Sequence, residues 1–356
     1  MTPFAFVVHP IHARDTARKY SYMKYLPNFV IEKLMTKLKP KVASHITGIT
    51  SLTGAKTEGW FIGLPMTPKM MLADPERSLE ALQVCAEIAK SEGAKLIGLG
   101  AFTAIVGDGG VSLSKLSPIG VTTGNSYTVA TAIEGALDAA ARVGIIPAES
   151  HLAVVGATGS IGQTCARILA PQFKSTLLIG RDQARTEQAG IGLPRTEATT
   201  NVERLNESDL VITVTSSDNA IIEPRHLKRG AVVCDVSRPR DVSVRVVQER
   251  PDVLVIEGGV VEVPGDVNFN FDFGFPLKTA YACMSETMML ALENRTDHYT
   301  LGKNVTVEQV QETMGWAAKH GFKLAGYRAF EKAVGQDSID RVKAAREASP
   351  ALTKTA

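Results

Sequence analysis

The stretch Leu152-Ala-Val-Val-Gly-Ala-Thr-Gly-Ser-Ile-Gly162 decides the fold class of this 356-residue chain. Its first four residues are apolar, as in a buried strand, and the glycines that follow lead into a helix predicted over 160–169. Gly156 allows a tight turn, Gly159 lets backbone N–H groups approach a pyrophosphate, and Gly162 lets the helix pack closely on the strand. A glycine triplet between a buried strand and a helix predicts a dinucleotide-binding loop. We therefore expect the cofactor to contact Gly156, Thr158, Gly159, Ser160, Ile161 and Gly162.

The rhythm of strands and helices continues downstream of this loop. Apolar strands predicted over 175–180, 209–215, 231–236 and 253–257 alternate with helical or irregular segments. Continuous apolar strands in a βαβ alternation are typical of a parallel sheet that is covered on both faces. The predicted fold class is therefore α/β, with a Rossmann-type doubly wound parallel sheet and a smaller N-terminal α/β domain.

The length of the chain also predicts more than one domain, because single cores rarely grow beyond about 250–300 residues. Residues 1–125 mix short strands and helices and form the predicted N-terminal domain, which would bind the substrate. Residues 126–300 form the predicted dinucleotide-binding domain. Residues 301–356 are expected to be a C-terminal helical segment that packs on the first domain.

The end of the second strand of the predicted Rossmann sheet selects between NAD and NADP. An NAD-dependent enzyme usually places an acidic residue there, which holds the ribose 2′-hydroxyl. Here the strand ends in Gly180-Arg181, and an arginine suits a 2′-phosphate through a bidentate, charge-assisted contact. Asp182 follows at once and would favour NAD if its side chain faced the ribose. We predict NADPH as the cofactor, with Arg181 as the residue that recognises it.

Composition and charge exclude several classes of protein. A formal net charge of +2, with 21% charged residues, is too balanced for a general nucleic-acid binder. No apolar run reaches the roughly 18 to 20 residues that span a bilayer, and the first residues do not read as a signal peptide. The four cysteines form neither a C-x-x-C pair nor a metal-ligand spacing with histidine. We expect a soluble, cytoplasmic protein with no resident metal site.

One of the four cysteines differs from the others in its position. Cys85, Cys165 and Cys234 lie inside predicted helices or strands, where a cysteine usually acts as a small apolar residue. Cys283 follows a loop rich in phenylalanine and lies in the early turns of a predicted helix. The N-terminus of a helix stabilises a thiolate. Position alone nevertheless leaves a core role for Cys283 as the more frequent alternative.

Six motifs follow one another along residues 99–284, inside the stretch 46–322. They are Leu99-Gly-Ala-Phe-Thr-Ala-Ile-Val106, Thr122-Thr-Gly-Asn-Ser126, Val155-Gly-Ala-Thr-Gly-Ser-Ile-Gly162, Leu177-Leu-Ile-Gly-Arg181, Glu257-Gly-Gly-Val-Val-Glu262 and Tyr281-Ala-Cys-Met284. Through these motifs the chain resembles the long-chain acyl-[acyl-carrier-protein] reductases, which reduce fatty acyl thioesters to fatty aldehydes. The resemblance implies that Cys283 accepts the acyl group and that NADPH is the reductant. It also implies stimulation by Mg²⁺, for which the sequence offers no ligand cluster.

Three stretches depart from the pattern of that family, and one of them is the tail beyond Tyr327, which has no counterpart in it. Residues 1–45 match it poorly and carry extra length with many lysines. Met284-Ser-Glu286 stands where bulkier apolar residues are expected beside the cysteine. The length of the acyl chain is therefore less well defined by the resemblance than the type of reaction.

The reaction implied by this resemblance has two steps. The Cys283 thiolate attacks the acyl thioester, the carrier thiol leaves, and an acyl-enzyme forms. NADPH then supplies hydride, and the resulting hemithioacetal collapses to the aldehyde. Thr123 and Asn125, in the turn before a predicted helix, are candidates to donate hydrogen bonds to the oxyanion. The alternative for these two residues is a role as the N-cap of that helix.

The expected partners are an acyl-carrier protein or coenzyme A, which would present the substrate, and an enzyme that consumes the aldehyde. Lys33, Lys37 and Lys41 recur at helical spacing beside apolar residues, so they form a candidate docking stripe for an acidic carrier protein. A solvated helix face is the simpler interpretation of these lysines, and peripheral contact with a membrane surface is a further one. No nucleic-acid partner is expected.

Two other functions stay open at the level of sequence. A shikimate- or amino-acid-type NADP dehydrogenase shares the two-domain layout, but the first domain shows no convincing Lys/Asp catalytic pair. The related glutamyl-tRNA reductase chemistry would need its nucleophilic cysteine in the first domain, where Cys85 lies in mid-helix. A non-catalytic NADP-binding sensor would follow if Cys283 were unreactive.

Overall fold

The structure of the protein, a computed structural model, describes residues 1–18, 25–104, 108–237, 239–272, 276–302, 304–330 and 332–348. The strands are β1 (Phe4–Val8), β2 (Lys41–Thr50), β3 (Lys56–Gly63), β4 (Leu96–Gly98), β5 (Gly120–Thr122), β6 (His151–Val155), β7 (Ser175–Ile179), β8 (Thr196–Thr199), β9 (Leu210–Thr213), β10 (Val232–Asp235), β11 (Leu254–Glu257), β12 (Val260–Glu262), β13 (Gly265–Asn268), β14 (Thr279–Tyr281), β15 (Lys323–Leu324), β16 (Arg328–Ala329) and β17 (Lys332–Ala333). The α-helices are α1 (Asn28–Met35), α2 (Pro68–Ala73), α3 (Pro75–Ser91), α4 (Val111–Leu116), α5 (Asn125–Arg142), α6 (Ser160–Leu169), α7 (Gln183–Gly190), α8 (Val244–Glu249), α9 (Ala282–Leu292), α10 (Val307–His320) and α11 (Gln336–Glu347).

The chain folds into two compact units. Unit 1 comprises Met1–Tyr127, Val261–Val305 and Gln311–Lys323, and unit 2 comprises Thr128–Val260, Thr306–Val310 and Leu324–Ala356. These boundaries differ from those expected from the sequence. The segment 261–305 belongs to unit 1 because α9 packs on β1, β3 and β4. The C-terminal helix α11 belongs to unit 2, where it packs on β11.

Unit 2 contains a six-stranded parallel sheet in the order β11-β10-β9-β6-β7-β8. Counted from β6, this is the strand order 3-2-1-4-5-6 of a Rossmann fold. All residues of β9, β10 and β11 are buried, as expected for strands of a parallel sheet that is covered on both faces. The predicted fold class is confirmed.

Unit 1 contains a six-stranded mixed sheet in the order β13-β2-β3-β1-β4-β5. The strands β1, β3, β4 and β5 are parallel to one another, and β2 and β13 are antiparallel to their neighbours. One face of the sheet packs on α3, whose start is fixed by Pro75 and by the Asp74 carboxylate, which accepts the N–H of Arg77 at 3.1 Å. The carboxyl ends of β4 and β5 lie at the same edge, because the two strands are parallel neighbours.

The N-terminal lysines do not share one helix, so the prediction of a single helical stripe is wrong. The helix α1 ends at Met35, and of the three lysines only Lys33 lies on it. Lys37 follows the helix, and Lys41 is the first residue of β2. The residue before a proline avoids helical backbone, so Pro40 prevents the helix from reaching β2.

Several other predicted elements agree with the structure. The apolar run 4–8 predicts a strand, and both β1 and the helix α6 have the predicted bounds. The helix predicted over 277–293 begins later, at Ala282, because the residues before it form β14. No helix within the described ranges is long and apolar enough to cross a membrane.

Candidate active site

The glycine loop of unit 2 lies at the carboxyl end of β6, where the strand order reverses between β7 and β9. Gly156 has a φ of +81°, and a Cβ on it would lie 2.2 Å from the carbonyl oxygen of Val214. A Cβ on Gly162 would lie 2.4 Å from the carbonyl oxygen of Gly156. Both positions therefore need glycine, one for the turn and one for the close packing of α6.

The first turn of α6 fits a pyrophosphate group. Gly159 is the N-cap and supplies no side chain to the first N–H groups of the helix. A Cβ on Gly159 would meet an atom of the protein only at 3.4 Å, so packing within the protein does not require glycine there. Close approach of a ligand to the backbone does require it. Thr158, Ser160 and Ile161 are partly exposed around these N–H groups, which suit a phosphate.

The two charged residues after β7 have different surroundings. Asp182 caps α7, because its carboxylate accepts the N–H of Arg185 at 2.9 Å. Arg181 is exposed at the end of the strand. Gly180 precedes both residues, and a Cβ on it would lie 2.2 Å from the hydroxyl of Thr186. Asp182 is therefore used within the protein, and Arg181 is the candidate for a 2′-phosphate.

Cys283 is the second residue of α9 in unit 1. Every residue of this helix from Met284 to Leu292 is buried, whereas Cys283 is only partly buried. Tyr281 is the N-cap and supplies no side-chain cap, so the first N–H groups of the helix are not satisfied by it. An otherwise buried helix thus presents one partly exposed thiol in its first turn.

Glycines at the carboxyl ends of β4 and β5 make room for this helix. A Cβ on Gly124, whose φ is +72°, would lie 2.3 Å from both Cα and Cβ of Cys283. A Cβ on Gly100 would lie 3.1 Å from Sγ of Cys283, and one on Gly98 would lie 2.1 Å from the hydroxyl of Thr287. The motifs that begin at residues 99 and 122 therefore meet at the cysteine of the last motif.

The other three cysteines are unsuited to nucleophilic chemistry. Cys85, Cys165 and Cys234 are fully buried, in agreement with the core positions expected for them. Burial raises the pKa of both Cys85 and Cys165 to about 12, so neither is a thiolate near neutral pH. Cys85, the residue that the sequence offered for glutamyl-tRNA reductase chemistry, is therefore inert.

Thr123 and Asn125 flank Gly124 and so lie next to the Cys283 backbone. The Thr123 hydroxyl is buried and donates to the carbonyl oxygen of Thr300 at 2.5 Å. A hydroxyl has one proton, so Thr123 cannot donate to an oxyanion while this bond exists. Asn125 is the first residue of α5.

Sequence reasoning missed Glu286 as a member of this site. Glu286 lies one helical turn after Cys283 and is fully buried. Its carboxylate accepts four hydrogen bonds, from the hydroxyls of Thr122 (2.6 Å), Ser126 (2.6 Å) and Thr300 (3.0 Å) and from the N–H of Tyr127 (3.0 Å). Burial raises the pKa of this carboxyl and outweighs the hydrogen bonds, which lower it. The signal in the sequence was a lone charged residue on an otherwise uncharged helix.

A second buried carboxylate, Asp241 of unit 2, was also missed. It accepts the hydroxyls of Thr213 and Thr215, each at 2.5 Å, and the N–H of Thr215 at 3.0 Å. It also accepts the hydroxyl of Ser237. These bonds fix the loops after β9 and β10 at the carboxyl edge of the Rossmann sheet, which is the edge where such sheets bind ligands.

Residues 105–107 and 273–275, in the loops after Gly100 and before β14, lie outside the described residues. Among the residues that are described, no group of three or more His, Cys, Asp or Glu side chains could hold a metal ion. The stimulation by Mg²⁺ that the family resemblance implies therefore has no support in these residues.

The family that matches this chain covers part of unit 2. Residues 140–257 match the family Shikimate / quinate 5-dehydrogenase. Unit 2 is an NAD(P)-binding domain of the oxidoreductase type. The structure of glutamyl-tRNA reductase from Methanopyrus kandleri aligns with 50% of this chain and 46% of its own, at 19% identity and a TM-score of 0.31.

Two relatives match most of the chain. It is 31% identical over 303 residues to the aminotransferase PigE of a Serratia species, a match that covers 83% of this chain and 36% of PigE. It is 27% identical over 328 residues to the long-chain acyl-[acyl-carrier-protein] reductase of Synechococcus elongatus, a match that covers 87% of this chain and 94% of that protein. The chain therefore spans about a third of the length of PigE and nearly the whole length of the reductase.

Proposed function

We propose that the protein is an NADPH-dependent acyl-thioester reductase, which converts a fatty acyl thioester to a fatty aldehyde through an acyl-enzyme on Cys283. The observation that carries the proposal is the partly exposed Cys283 thiol in the first turn of an otherwise buried helix. A thiol at a helix N-terminus is suited to nucleophilic catalysis, whereas a structural cysteine is buried and inert. The similarity to the Synechococcus reductase supports the same reaction.

The first step forms a bond between Sγ of Cys283 and the acyl carbon. The bond from this carbon to the carrier sulfur breaks, and the carrier leaves as a thiol after taking up a proton. Negative charge develops on the acyl oxygen, and the first N–H groups of α9 are the proposed donors to it. The Thr123 hydroxyl is not assigned this role, because its proton is held by Thr300.

NADPH, when bound, supplies a hydride to the carbon of the acyl-enzyme. The glycine loop before α6 would hold the pyrophosphate, and Arg181 would hold the 2′-phosphate. The hemithioacetal anion on Cys283 then collapses, which releases the aldehyde and restores the thiolate.

The test is the covalent state of Cys283. With fatty acyl thioesters and no NADPH, the intact mass should rise by one acyl group, and peptide mapping should place that group on Cys283. Addition of NADPH should discharge it as aldehyde. Cys283→Ala should lose acylation and reduction yet keep its affinity for NADPH, because the glycine loop is untouched. Cys283→Ser should fail to turn over, since an ester is a poorer hydride acceptor than a thioester.

Cys85→Ala is the matched control, because Cys85 is buried and its raised pKa makes it inert. This variant should be acylated and should produce aldehyde like the wild type. Acylation at another cysteine, or near-normal aldehyde output from Cys283→Ala, would remove Cys283 from the mechanism. Binding of NADPH without acylation would identify the protein as a sensor.

A dehydrogenase that acts on a small polar substrate is the second candidate, and the family match over residues 140–257 favours it. This function requires a Lys/Asp pair in unit 1. Lys278 and Asp266 form an ion pair at 3.0 Å, but the Asp266 side chain is 98% exposed. Such exposure leaves the pair without the desolvation that tunes a proton-transfer group. Oxidation of shikimate, quinate or amino acids by Cys283→Ala would establish this function.

A further inference from the structure

The buried carboxylate of Glu286, one turn after Cys283, joins α9 to the end of β5 and the start of α5. The hydroxyls of Thr122 and Ser126 each donate to it at 2.6 Å. We infer that Glu286 is a positioning residue, whose hydrogen bonds hold the Cys283 thiol in the geometry needed for acyl transfer. This inference rests on the proposed acyl-enzyme.

The contacts of Glu286 lie on both sides of Gly124. Thr122 precedes this glycine, and Ser126 and the Tyr127 N–H follow it. Gly124 is also the residue that the Cys283 backbone approaches too closely for any Cβ to fit. The Glu286 carboxylate is therefore hydrogen-bonded to residues on both sides of Gly124, against which the Cys283 backbone packs.

The face of α9 explains why one carboxylate can do this. Residues three and four positions apart on a helix are neighbours on its surface, so Cys283, Glu286 and Thr287 lie on one side. That side approaches Gly124 at Cys283 and Gly98 at Thr287. Loss of the Glu286 hydrogen bonds would free the turn that contacts the thiol-bearing residue, while the rest of the helix stayed packed on the sheet.

Stability of the fold does not by itself account for Glu286. Burial of a carboxylate costs free energy, and well-packed apolar residues of similar volume are often as stable or more so. The other residues of α9 are uncharged, so an apolar residue at position 286 would suit the helix. A buried, fully hydrogen-bonded carboxylate instead specifies one arrangement of the segments that it joins.

Glutamine and methionine at position 286 separate hydrogen bonding from charge. In Glu286→Gln the amide oxygen can accept the Tyr127 N–H and the Ser126 hydroxyl. The amide nitrogen can donate to the hydroxyls of Thr122 and Thr300, which rotate to accept. All four partners are kept and the charge is lost. Glu286→Met keeps a similar volume and loses all four hydrogen bonds.

The experiment is single-turnover acylation of the full-length variants by a fatty acyl thioester, followed by intact mass. Acylation of Glu286→Met should be at least about tenfold slower, because small displacements of a nucleophile have large kinetic effects. Acylation of Glu286→Gln should stay within about threefold of the wild type, since its hydrogen bonds are rearranged rather than lost. The Kd for NADPH should be the same in both variants.

Glu293→Gln is the matched control, because Glu293 follows the C-terminal end of the same helix. Its carboxylate is hydrogen-bonded to Lys319 at 2.7 Å and to His320 at 2.6 Å. This variant should be acylated at the wild-type rate. If Glu286→Met does not fold, Ser126→Ala, which removes one donor, takes its place and should also slow acylation.

Hydrogen–deuterium exchange gives a readout that does not need acyl transfer. Amides of residues 122–127 should exchange faster in Glu286→Met than in the wild type or in Glu286→Gln. If the wild type is never acylated, the proposed function is wrong. The hydrogen–deuterium exchange of residues 122–127 then tests by itself whether Glu286 positions this segment. Unchanged exchange, wild-type acylation by Glu286→Met, or equal loss of acylation in both variants would overturn the inference.

Discussion

At the scale of single residues, the structure separates two neighbours that the sequence left in competition. Asp182 is committed to capping α7, and Arg181 is exposed at the end of β7. We therefore expect NADPH to bind at least about tenfold tighter than NADH, a difference of about 1.4 kcal/mol. Arg181→Ala should lose most of this preference and leave the affinity for NADH nearly unchanged, as measured by calorimetric titration with each nucleotide.

Asp182→Asn serves as the control for this prediction. Asparagine is as good an N-cap as aspartate, so α7 should keep its start while the acidic group is removed. The preference for NADPH should persist in this variant. Equal affinity of the wild type for the two nucleotides would refute the role of Arg181.

At the scale of elements, three consecutive segments of unit 1 carry exposed lysines. Lys33 on α1, Lys37 after it and Lys41 on β2 are all exposed, and Phe29 on α1 is 71% exposed. We propose that these lysines receive an acidic acyl-carrier protein, since complementary charge steers docking. Reversal of all three to glutamate should raise the KM for the acyl-carrier substrate and weaken its dependence on salt. The KM for the corresponding acyl-coenzyme A should not change.

A matched variant carries the same change in net charge elsewhere. Lys174, Lys332 and Lys343 are exposed lysines of unit 2. Their reversal to glutamate should leave the KM for the acyl-carrier substrate as it is in the wild type. If the first variant also keeps the wild-type KM, this surface is not the docking site.

At the scale of the whole molecule, the Asp209 carboxylate of unit 2 contacts residues that are far apart in the chain. The Asp209 carboxylate accepts a hydrogen bond from the His151 N–H at 3.0 Å. It also forms ion pairs with Lys228 at 2.7 Å and with Arg346 of α11 at 3.3 Å. Desolvation raises the pKa of Asp209, but these hydrogen bonds and charges outweigh it and hold the pKa below its usual value. The carboxylate therefore stabilises the fold above the unfolded pKa of about 3.9. This stabilisation is lost as the pH falls through the folded pKa.

Asp209→Asn should therefore lower the free energy of unfolding by about 1–3 kcal/mol at pH 7. The difference from the wild type should shrink as the pH falls below about 4, because the unfolded carboxylate takes up a proton there and the folded one does so only at lower pH. Denaturant unfolding across this pH range measures both effects. Asp218→Asn, at an exposed position, should be neutral throughout. A variant as stable as the wild type at pH 7 would contradict the role of Asp209.

Much of the candidate site could be found from local sequence, and some of it could not. The position of Cys283 near the start of a helix could be predicted, because a phenylalanine-rich loop precedes that helix in the sequence. The partners of that helix were not, because Thr122 and Glu286 are 164 residues apart. Thr123 was expected to serve the oxyanion, and only the fold shows that its hydroxyl is bonded to Thr300.

The sequence by itself determined the Rossmann sheet, the glycine loop of residues 156–162 and the position of Arg181 at the end of the second strand. These features depend on apolar strands and turn glycines that lie close together in the chain, where the local signal is strong. Only the tertiary structure decided that residues 261–305 join unit 1 and that Glu286 fastens the turn around Gly124. Pairings between segments that are far apart in the chain leave no periodic pattern, since they depend on which surfaces the completed sheets bring together.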